Sequence, residues 1–446
     1  MNLEEALSYL DDHARREGAD AFDIVAGESD SSGIEIFRGK IKSTEISGSR
    51  GIGIRLFRSG HPGYSFTEKL SPDALRQTLK DALDQCVVTD ELKLELPEPS
   101  SPADIDLKQY DSRLDDFDLE AMKDLGLRLE KETLSGEESI ENVPYLGVSR
   151  SRGRSLFLNS LGHSFSRSGA SMGAYVGAVA RRGEIRKMGM YSNGGRRADS
   201  PYVEPAFMAA HARERAVEML EARPADGGEY PAVFSHRVSG RLLAMFNSPF
   251  SAENVQKGQS RLKDRLGEKI ASEALSIRSD PHIPEYPGSR LFDDEGVPTR
   301  PLQVVENGVL LTYLHNLESA ARDGLPPTGT GNRGYSGKAG AGYANMIVAP
   351  GERSLEDLLQ SHSRCLYVVK LEGGAGCSAI SGEISIGIQG FLYENGTMVH
   401  PVDRMTLNIN YFDLLPRIEA FSSEYSDSFS SVKTPDMLID GAYFAA

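Results

Sequence analysis

The chain has 446 residues, which is more than one hydrophobic core usually serves, so we expect two or three domains. Its 49 basic and 65 acidic side chains give a net charge of -16, which disfavours non-specific binding to nucleic acid or to an anionic membrane. Three scattered cysteines, no signal-peptide pattern and no apolar run of about 18 residues predict a cytoplasmic protein without a membrane span.

Residues 1–100 are interpreted as a first α+β module. Apolar residues at helical spacing predict a helix over residues 3–17, which Gly18 ends. Alternating apolar positions from Phe22 to Leu56 then predict a meander of short strands. Five glycines are expected to separate these strands: Gly33, Gly39, Gly48, Gly51 and Gly60. Ser71 as N-cap and Pro72 at the first helical position predict a helix to about Val87.

Residues 101–224 are interpreted as a second module that repeats the order of the first. The Pro- and Asp-rich residues 90–112 predict a linker or an extended crossing segment. A helix is expected over 119–134 and another over 204–221. Five short strands are expected between them, at residues 145–150, 155–159, 163–168, 174–181 and 184–191. Because helix, meander and helix occur twice, the sequence indicates a duplicated module.

Residues 225–446 are interpreted as a third, β-rich domain. A strand at 232–234 and a helix at 237–246 open it, and Ser354 is expected to cap a further helix. Asn307-Gly308 and Asn395-Gly396 each lie between apolar runs, and this pair predicts a β-hairpin because both turn positions need positive φ. The predicted fold class is α+β, with repeated helix and strand-meander modules in the N-terminal half. The C-terminal domain is predicted to contain a large, mainly antiparallel, mixed β-sheet.

Metal and acid–base motifs are scarce in this sequence. None of the nine histidines is followed by Glu, so the zinc motifs HExxH and HExxxH are absent. Asp293-Asp294-Glu295-Gly296 is the densest acidic cluster, and a turn is favoured there over a site for a hard cation. No catalytic residue and no metal ligand is predicted in this chain.

Two nucleophiles are considered and not favoured. Ser171 lies in a GxSxG run, but strands are expected on both sides, whereas a nucleophile elbow needs a helix after the Ser. Cys377 follows a glycine run, and the sequence does not show a base beside it. The glycine-rich segments 328–332 and 373–376 allow a close backbone approach to a peptide, or are plain connections. Possible contacts with a substrate or partner are Asn332, Arg333, Gly374 and Gly376.

A series of segments resembles the TldD/PmbA peptidase family. The strongest are residues 258–269 (GQSRLKDRLGEK), 289–297 (SRLFDDEGV) and 307–315 (NGVLLTYLH). Residues 328–333, 381–385 and 390–396 extend the series, and Arg38-Gly39-Lys40 and Gly51-Ile52-Gly53 fit in the N-terminal half. In this family, TldD-type chains carry HExxxH in the helix that opens the C-terminal domain, and a cysteine ligand near the C-terminus.

The resemblance points to the PmbA/TldE-type subunit. The corresponding run, Arg241–Pro249, has no His and no Glu, and no cysteine follows Pro401. The resemblance implies a TldD-type partner that holds zinc, or a homodimer in isolation, and cleavage of unfolded peptides in peptide maturation or antitoxin degradation. Two alternatives stay open: an independent hydrolase that uses Cys377 or Ser171, and a regulatory binding protein, since an older family name is modulator of DNA gyrase.

Overall fold

The computed structural model describes residues 1–425 and 428–446. Its α-helices are α1 Leu3–Arg16, α2 Pro72–Gln85, α3 Leu119–Ser135, α4 Pro205–Glu218, α5 His236–Met245, α6 Ala252–Gln256, α7 Leu317–Asp323, α8 Leu355–Leu359 and α9 Tyr411–Leu414. The predicted helices are confirmed to within three residues at each end, and the Ser71 hydroxyl accepts a hydrogen bond from the amide of Ala74 as a cap. No helix in the described part of the chain has the length and apolarity needed to cross a bilayer.

The first half of the chain forms one antiparallel sheet of six strands. These strands are β1 Ala21–Phe37, β2 Lys40–Arg58, β3 His61–Thr67, β4 Ile140–Asn159, β5 Ser164–Arg182 and β6 Ile185–Gly195. Their order is β3-β2-β1-β4-β5-β6, so the two predicted modules meet where β1 pairs with β4. The predicted boundaries 1–100, 101–224 and 225–446 stay a prediction, but the first two modules share this N-terminal sheet.

The prediction of many short strands is wrong, because the strands are long and the interior glycines do not interrupt them. β4 and β5 have 20 and 19 residues, so the five short strands predicted in the second module are three long ones. Gly39 and Gly60 do lie in turns with positive φ, whereas Gly33, Gly48 and Gly51 lie within strands. At Gly51 a Cβ would overlap the ring of Tyr335, so this glycine permits a close approach rather than a turn.

The two faces of the N-terminal sheet have different neighbours. Phe22, Ile24 and Ile34 of β1 point to the face that α1, α2, α3 and α4 cover, where they form two hydrophobic cores. Side chains alternate along a strand, so Asp23 points to the opposite face. Segments of the C-terminal domain lie on that face, including the turn at Glu295. Residues 90–111 form neither helix nor strand, which is compatible with both predicted alternatives, a linker and an extended crossing segment.

The C-terminal domain is rich in strands. They are β7 Gly228–Phe234, β8 Ile277–Ser279, β9 Leu302–Glu306, β10 Val309–Leu310, β11 Gly331–Asn332, β12 Gly340–Ala341, β13 Met346–Val348, β14 Arg364–Glu372, β15 Glu383–Glu394, β16 Thr397–Asn410, β17 Ile418–Tyr425, β18 Val432–Lys433 and β19 Pro435–Ala445. The large sheet has the order β16-β15-β14-β7-β19-β17, and a further pairing of β16 with β19 closes it on itself. Only β14 and β7 pair in parallel among its described strands, which confirms a mainly antiparallel, mixed sheet.

Both Asn-Gly hairpins are confirmed. Asn307 and Gly308 have φ values of 46° and 80° between β9 and β10, and Asn395 and Gly396 have 48° and 76° between β15 and β16. The smaller sheet, with the order β10-β9-β8-β13-β18, brings β18 alongside α5. This placement matters for function, because α5 and β18 form one side of the cleft described below.

Candidate functional site

An open cleft of about 590 Å³ lies between the N-terminal sheet and α5. Strands β4, β5 and β6 line it with small and hydroxyl-bearing residues, which include Ser149, Ser151, Ser171 and Ser192. The opposite side consists of α5, β18 and residues 428–430. We call this space the α5 cleft. It lies between the two halves of the molecule, a place where ligand sites commonly occur.

The sequence of α5 explains how the helix forms one wall of the cleft. Val238, Leu242 and Leu243 are at most 2% exposed and anchor the helix in the C-terminal core. The residues on the other side of the helix recur at helical spacing and face the cleft: His236, Arg237, Gly240, Arg241 and Ala244. The helix is therefore amphipathic, with an apolar inner face and a polar outer face that carries two arginines.

One edge of the N-terminal sheet also reaches the cleft. β6 is the outermost strand of the sheet, and its residues Ser192, Asn193 and Gly194 line the cleft. The side-chain oxygen of Asn193 accepts a hydrogen bond of 2.9 Å from the amide of Phe429, which ties the strand to the opposite rim. An edge strand has backbone groups on one side that no strand of its own sheet pairs with. Here the Ser192 carbonyl accepts from Arg237 and the Gly194 carbonyl accepts from the Ser200 hydroxyl, so an extended peptide can add to this edge where it displaces these side chains.

A buried cluster of charged residues lies where the N-terminal sheet meets the C-terminal domain. The side chain of Arg55 is fully buried and donates to Asp23 at 2.9 Å and to Glu295 at 2.6 Å. Arg333 donates to the other oxygen of Asp23. Asp294 pairs with Arg167 and Arg290 in the same region. Each of these four arginines thus has a carboxylate partner.

The carboxyl groups of this junction have perturbed pKa values in opposite directions. Burial alone would raise the pKa of Asp23, but the Arg55 and Arg333 guanidinium groups outweigh it and hold the pKa below its ordinary value. Burial, together with the charge of Glu295, raises the pKa of Asp293 to about 7. The carboxyl group of Asp293 therefore holds a proton at mildly acidic pH, while that of Asp23 stays ionised.

Most of the chain, including the α5 cleft and the charged junction, matches the domain models of one protein family. The model of the PmbA/TldA metallopeptidase C-terminal domain matches residues 227–446. The models of domain 1 and of the central domain of the same metallopeptidases match residues 22–86 and 112–220. The chain belongs to the TldD/PmbA family. The resemblance identified from the sequence is therefore confirmed.

Relatives and solved structures of this family span nearly the whole chain. Metalloprotease PmbA of Escherichia coli O157:H7 is 27% identical over 94% of this chain and 94% of its own length. A metalloprotease of Methanothermobacter thermautotrophicus is 27% identical over 95% of this chain and 90% of its own. A Thermotoga maritima protein proposed to modulate a DNA gyrase superposes with a TM-score of 0.89 and 28% identity, covering 100% of both chains. TldE of Thermococcus kodakarensis shares the fold, with a TM-score of 0.86, 22% identity and coverage of 99% and 100%.

The absence of a zinc site from the helix that opens the C-terminal domain stays a prediction. The run Arg241–Pro249 begins inside α5, but the helix itself starts earlier and includes one imidazole, that of His236. Its Nδ1 atom lies 3.6 Å from a carboxylate oxygen of Asp436. In residues 1–425 and 428–446, no three His, Cys, Asp or Glu side chains group as a metal site requires.

The two candidate nucleophiles lie in different settings. Ser171 lies within β5 and lines the α5 cleft together with His236, yet no hydrogen bond joins the two side chains in the described structure. A strand on both sides of Ser171 is confirmed, so this GxSxG run is not a nucleophile elbow. Cys377 is half-buried in the loop between β14 and β15, and no side chain hydrogen-bonds its thiol among the described residues.

The four predicted contact residues lie in two separate places. Gly374 and Gly376 belong to the loop after β14, which Arg241 of α5 reaches by donating to the carbonyl oxygens of Leu371 and Gly373. This loop therefore borders the outer face of α5. Asn332 is exposed in the two-residue strand β11, whereas the Arg333 side chain is 1% exposed and pairs with Asp23. Contact of these four positions with a peptide or partner stays a prediction.

Sequence reasoning missed most of the residues that line the cleft and form the charged junction. Asp293-Asp294-Glu295-Gly296 is confirmed as a turn, since Asp294 and Glu295 lie at its tip. However, its carboxylates are nearly inaccessible to solvent. The available signal was the run of three acids next to apolar residues, because buried acids need cationic partners. The partners come from distant strands, and no local pattern identifies them.

Proposed function

We propose that this chain is the PmbA/TldE-type subunit of a TldD-type metallopeptidase complex that cleaves unfolded peptides. In this proposal a TldD-type partner holds the zinc and activates water, and the present chain binds and orients the peptide. The complex would act in the cytoplasm, in peptide maturation or antitoxin degradation. Membership of the family supports the peptidase context, and the likeness to TldE supports the fold of this subunit.

The observation that carries the proposal is the meeting of the β6 edge with α5. Ser192, Asn193 and Gly194 lie at the end of an edge strand, inside a cleft that is open to solvent. A peptide that adds to β6 as a further strand would replace Arg237 and Ser200 on the carbonyls of Ser192 and Gly194. Its main-chain hydrogen bonds would give affinity with little dependence on sequence. Only an unfolded segment has its backbone free for such pairing, so this geometry selects unfolded substrates.

The residues of α5 support a binding role rather than a hydrolytic one. In TldD-type chains the corresponding helix supplies two imidazoles and a carboxylate. Here the outer face of α5 supplies two guanidinium groups and a single imidazole beside Asp436. Guanidinium groups donate hydrogen bonds and hold anions, but they do not accept a proton from water at neutral pH. The helix can therefore orient a peptide, and the step that cleaves it belongs to the partner.

Reconstitution with a TldD-type chain from the same organism tests the proposal. Zinc content and cleavage of an unfolded casein-like peptide are measured for each chain alone and for the mixture. We expect zinc in the partner, and full cleavage only in the mixture. A partner in which Gln replaces the Glu of HExxxH is the matched control, which should assemble without cleaving. Stoichiometric zinc and cleavage by the present chain alone would overturn the proposal.

A further inference from the structure

Three cationic side chains line the helix side of the α5 cleft, and neutral groups fix all three. Arg237 donates to the carbonyl oxygen of Ser192 at 3.2 Å, and its guanidinium lies 4.5 Å from the ring centre of Tyr191. Arg241 donates to the Leu371 carbonyl at 2.8 Å. The ammonium group of Lys433 lies between two aromatic rings, 5.3 Å from the centre of Tyr286 and 5.1 Å from that of Tyr425. Carbonyl oxygens and ring faces orient a cation without cancelling its charge.

No described carboxylate compensates these three charges. Arg237, Arg241 and Lys433 form no ion pair with a described residue, and no Asp or Glu occurs among the described residues that line the cleft. The buried junction is the internal comparison, because Arg55 there is neutralised by Asp23 and Glu295. The contrast is stronger because the whole chain carries a net charge of -16. The described lining of this cleft is therefore positively charged, although the whole chain carries a net negative charge.

The opposite wall of the cleft complements an anion that is attached to a peptide. Ser149, Ser151 and Ser171 supply hydroxyl groups beside the β6 edge. A peptide paired with β6 would project every second side chain to one face, with a repeat of about 7 Å. Carboxylate side chains at that repeat would reach the guanidinium groups of α5 from the same strand that pairs with β6.

We propose that the α5 cleft binds acidic segments of unfolded peptides, with Arg237, Arg241 and Lys433 as the residues that recognise their carboxylates. This inference rests on the proposed function and adds the class of substrate. A single-stranded nucleic acid also carries regular negative charge, but two observations favour a peptide. The β6 edge allows main-chain pairing once Arg237 moves from the Ser192 carbonyl to a carboxylate, and nucleic acid does not use such pairing. A net charge of -16 also repels a long polyanion over the remaining surface.

Peptide binding to the isolated, full-length chain tests this assignment. Two labelled, unfolded peptides of equal length are compared by fluorescence anisotropy, one with Glu at alternate positions and one with Gln at the same positions. At low salt we expect the Glu peptide to bind about tenfold more tightly, because several charge-assisted hydrogen bonds form. In 0.5 M NaCl the preference should fall to about twofold, because ionic screening weakens partly exposed pairs.

Two triple variants separate the cleft from net charge. R237Q/R241Q/K433Q should bind both peptides equally, whereas the control R16Q/R58Q/K263Q should keep the preference, since Arg16, Arg58 and Lys263 are exposed and outside the cleft. Circular dichroism and the thermal midpoint verify that both variants fold. If the cleft variant does not fold, K433Q alone must still weaken Glu-peptide binding at least twofold, and an unchanged preference there overturns the assignment.

The remaining outcomes also decide the question. Equal affinity of the unsubstituted chain for the two peptides would overturn the acidic preference, while peptide binding and the proposed subunit role would stand. A single-stranded oligonucleotide that binds more tightly than the Glu peptide and displaces it would overturn the choice of a peptide. Tight Glu-peptide binding without partner-dependent cleavage would instead sustain this assignment and count against the proposed function.

Discussion

Arg55 and Asp23 pair across neighbouring strands of the N-terminal sheet, with both side chains fully buried and 2.9 Å between Nε and the carboxylate oxygen. Arg55 extends the connection to Glu295 in the C-terminal domain, and Arg333 approaches Asp23 from that domain as well. Charges that are removed from water need partners with good geometry, and here the partners come from both halves of the chain. This junction therefore fixes how the sheet and the C-terminal domain meet, and so also the shape of the α5 cleft.

Asp23→Ala should destabilise the protein strongly. The substitution leaves Arg55 and Arg333 buried with one carboxylate fewer, and breaking a buried pair in this way costs about 3–5 kcal/mol. Urea denaturation measures the change in the free energy of unfolding. Asp11→Asn is the control, because Asp11 and Arg15 form an exposed pair at 2.9 Å, whose loss should cost less than about 1 kcal/mol. Similar losses in the two variants would contradict this account of the junction.

The pH dependence of stability should contain a component from Asp293. The pKa of this carboxyl is raised in the folded protein from 3.8 to about 7, so between these values the folded state binds more protons than the unfolded state. The free energy of unfolding should therefore fall as pH rises from about 4 to about 7, and then level off. Asp293→Asn cannot ionise and should lack this decline.

Other groups also titrate in that range, so the difference between the two proteins is the quantity to measure. The pKa values of His163 and His315 are lowered by burial. Their contribution to the free energy of unfolding therefore has the opposite sign and is lost as pH falls. Because both proteins keep these histidines, their contribution cancels in the difference. A difference that does not change between pH 4.5 and pH 7.5 would show that Asp293 is ionised throughout.

Gly53→Ala should be costly because of a close approach between the two halves of the molecule. A Cβ at Gly53 would overlap the carbonyl oxygen of Tyr335, whose segment lies on the sheet. Forcing these atoms apart should cost about 1–3 kcal/mol in urea denaturation. Gly153→Ala is the control in β4 of the same sheet, since its Cβ would lie 3.5 Å from the Glu28 carbonyl, an ordinary contact. A loss at Gly153 as large as that at Gly53 would indicate a general intolerance of side chains on this face.

The fold could be predicted from the sequence wherever local chemistry decides it. Ser71 and Pro72 start a helix through capping and a preset φ, and the Asn395-Gly396 pair makes a hairpin through positive φ. The glycine at 51 misled the prediction, because a glycine needed for close approach looks the same in sequence as one needed for a turn. Only the position of Tyr335, far along the chain, distinguishes the two.

The site was less accessible to sequence reasoning than the fold. The family resemblance directed attention to the helix that opens the C-terminal domain, and α5 does form one wall of the cleft. Arg237, Arg241 and Lys433 look like ordinary surface cations in sequence, because helical spacing does not reveal which strand edge a helix faces. Their places are fixed by long-range packing, of Arg237 against Ser192 and of Lys433 against Tyr286.

Metal removal should not affect the stability of this chain, whereas it should affect a TldD-type partner. A metal that binds only the folded state stabilises it, so its removal lowers the thermal midpoint. The described residues of this chain contain no group of three metal ligands, so we expect its midpoint to change by less than about 1 °C after treatment with a chelator. The zinc-bearing partner, treated in parallel, is the positive control and should lose several degrees. A comparable fall for this chain alone, reversed by added zinc, would place a metal site in it and contradict its role as the subunit without zinc.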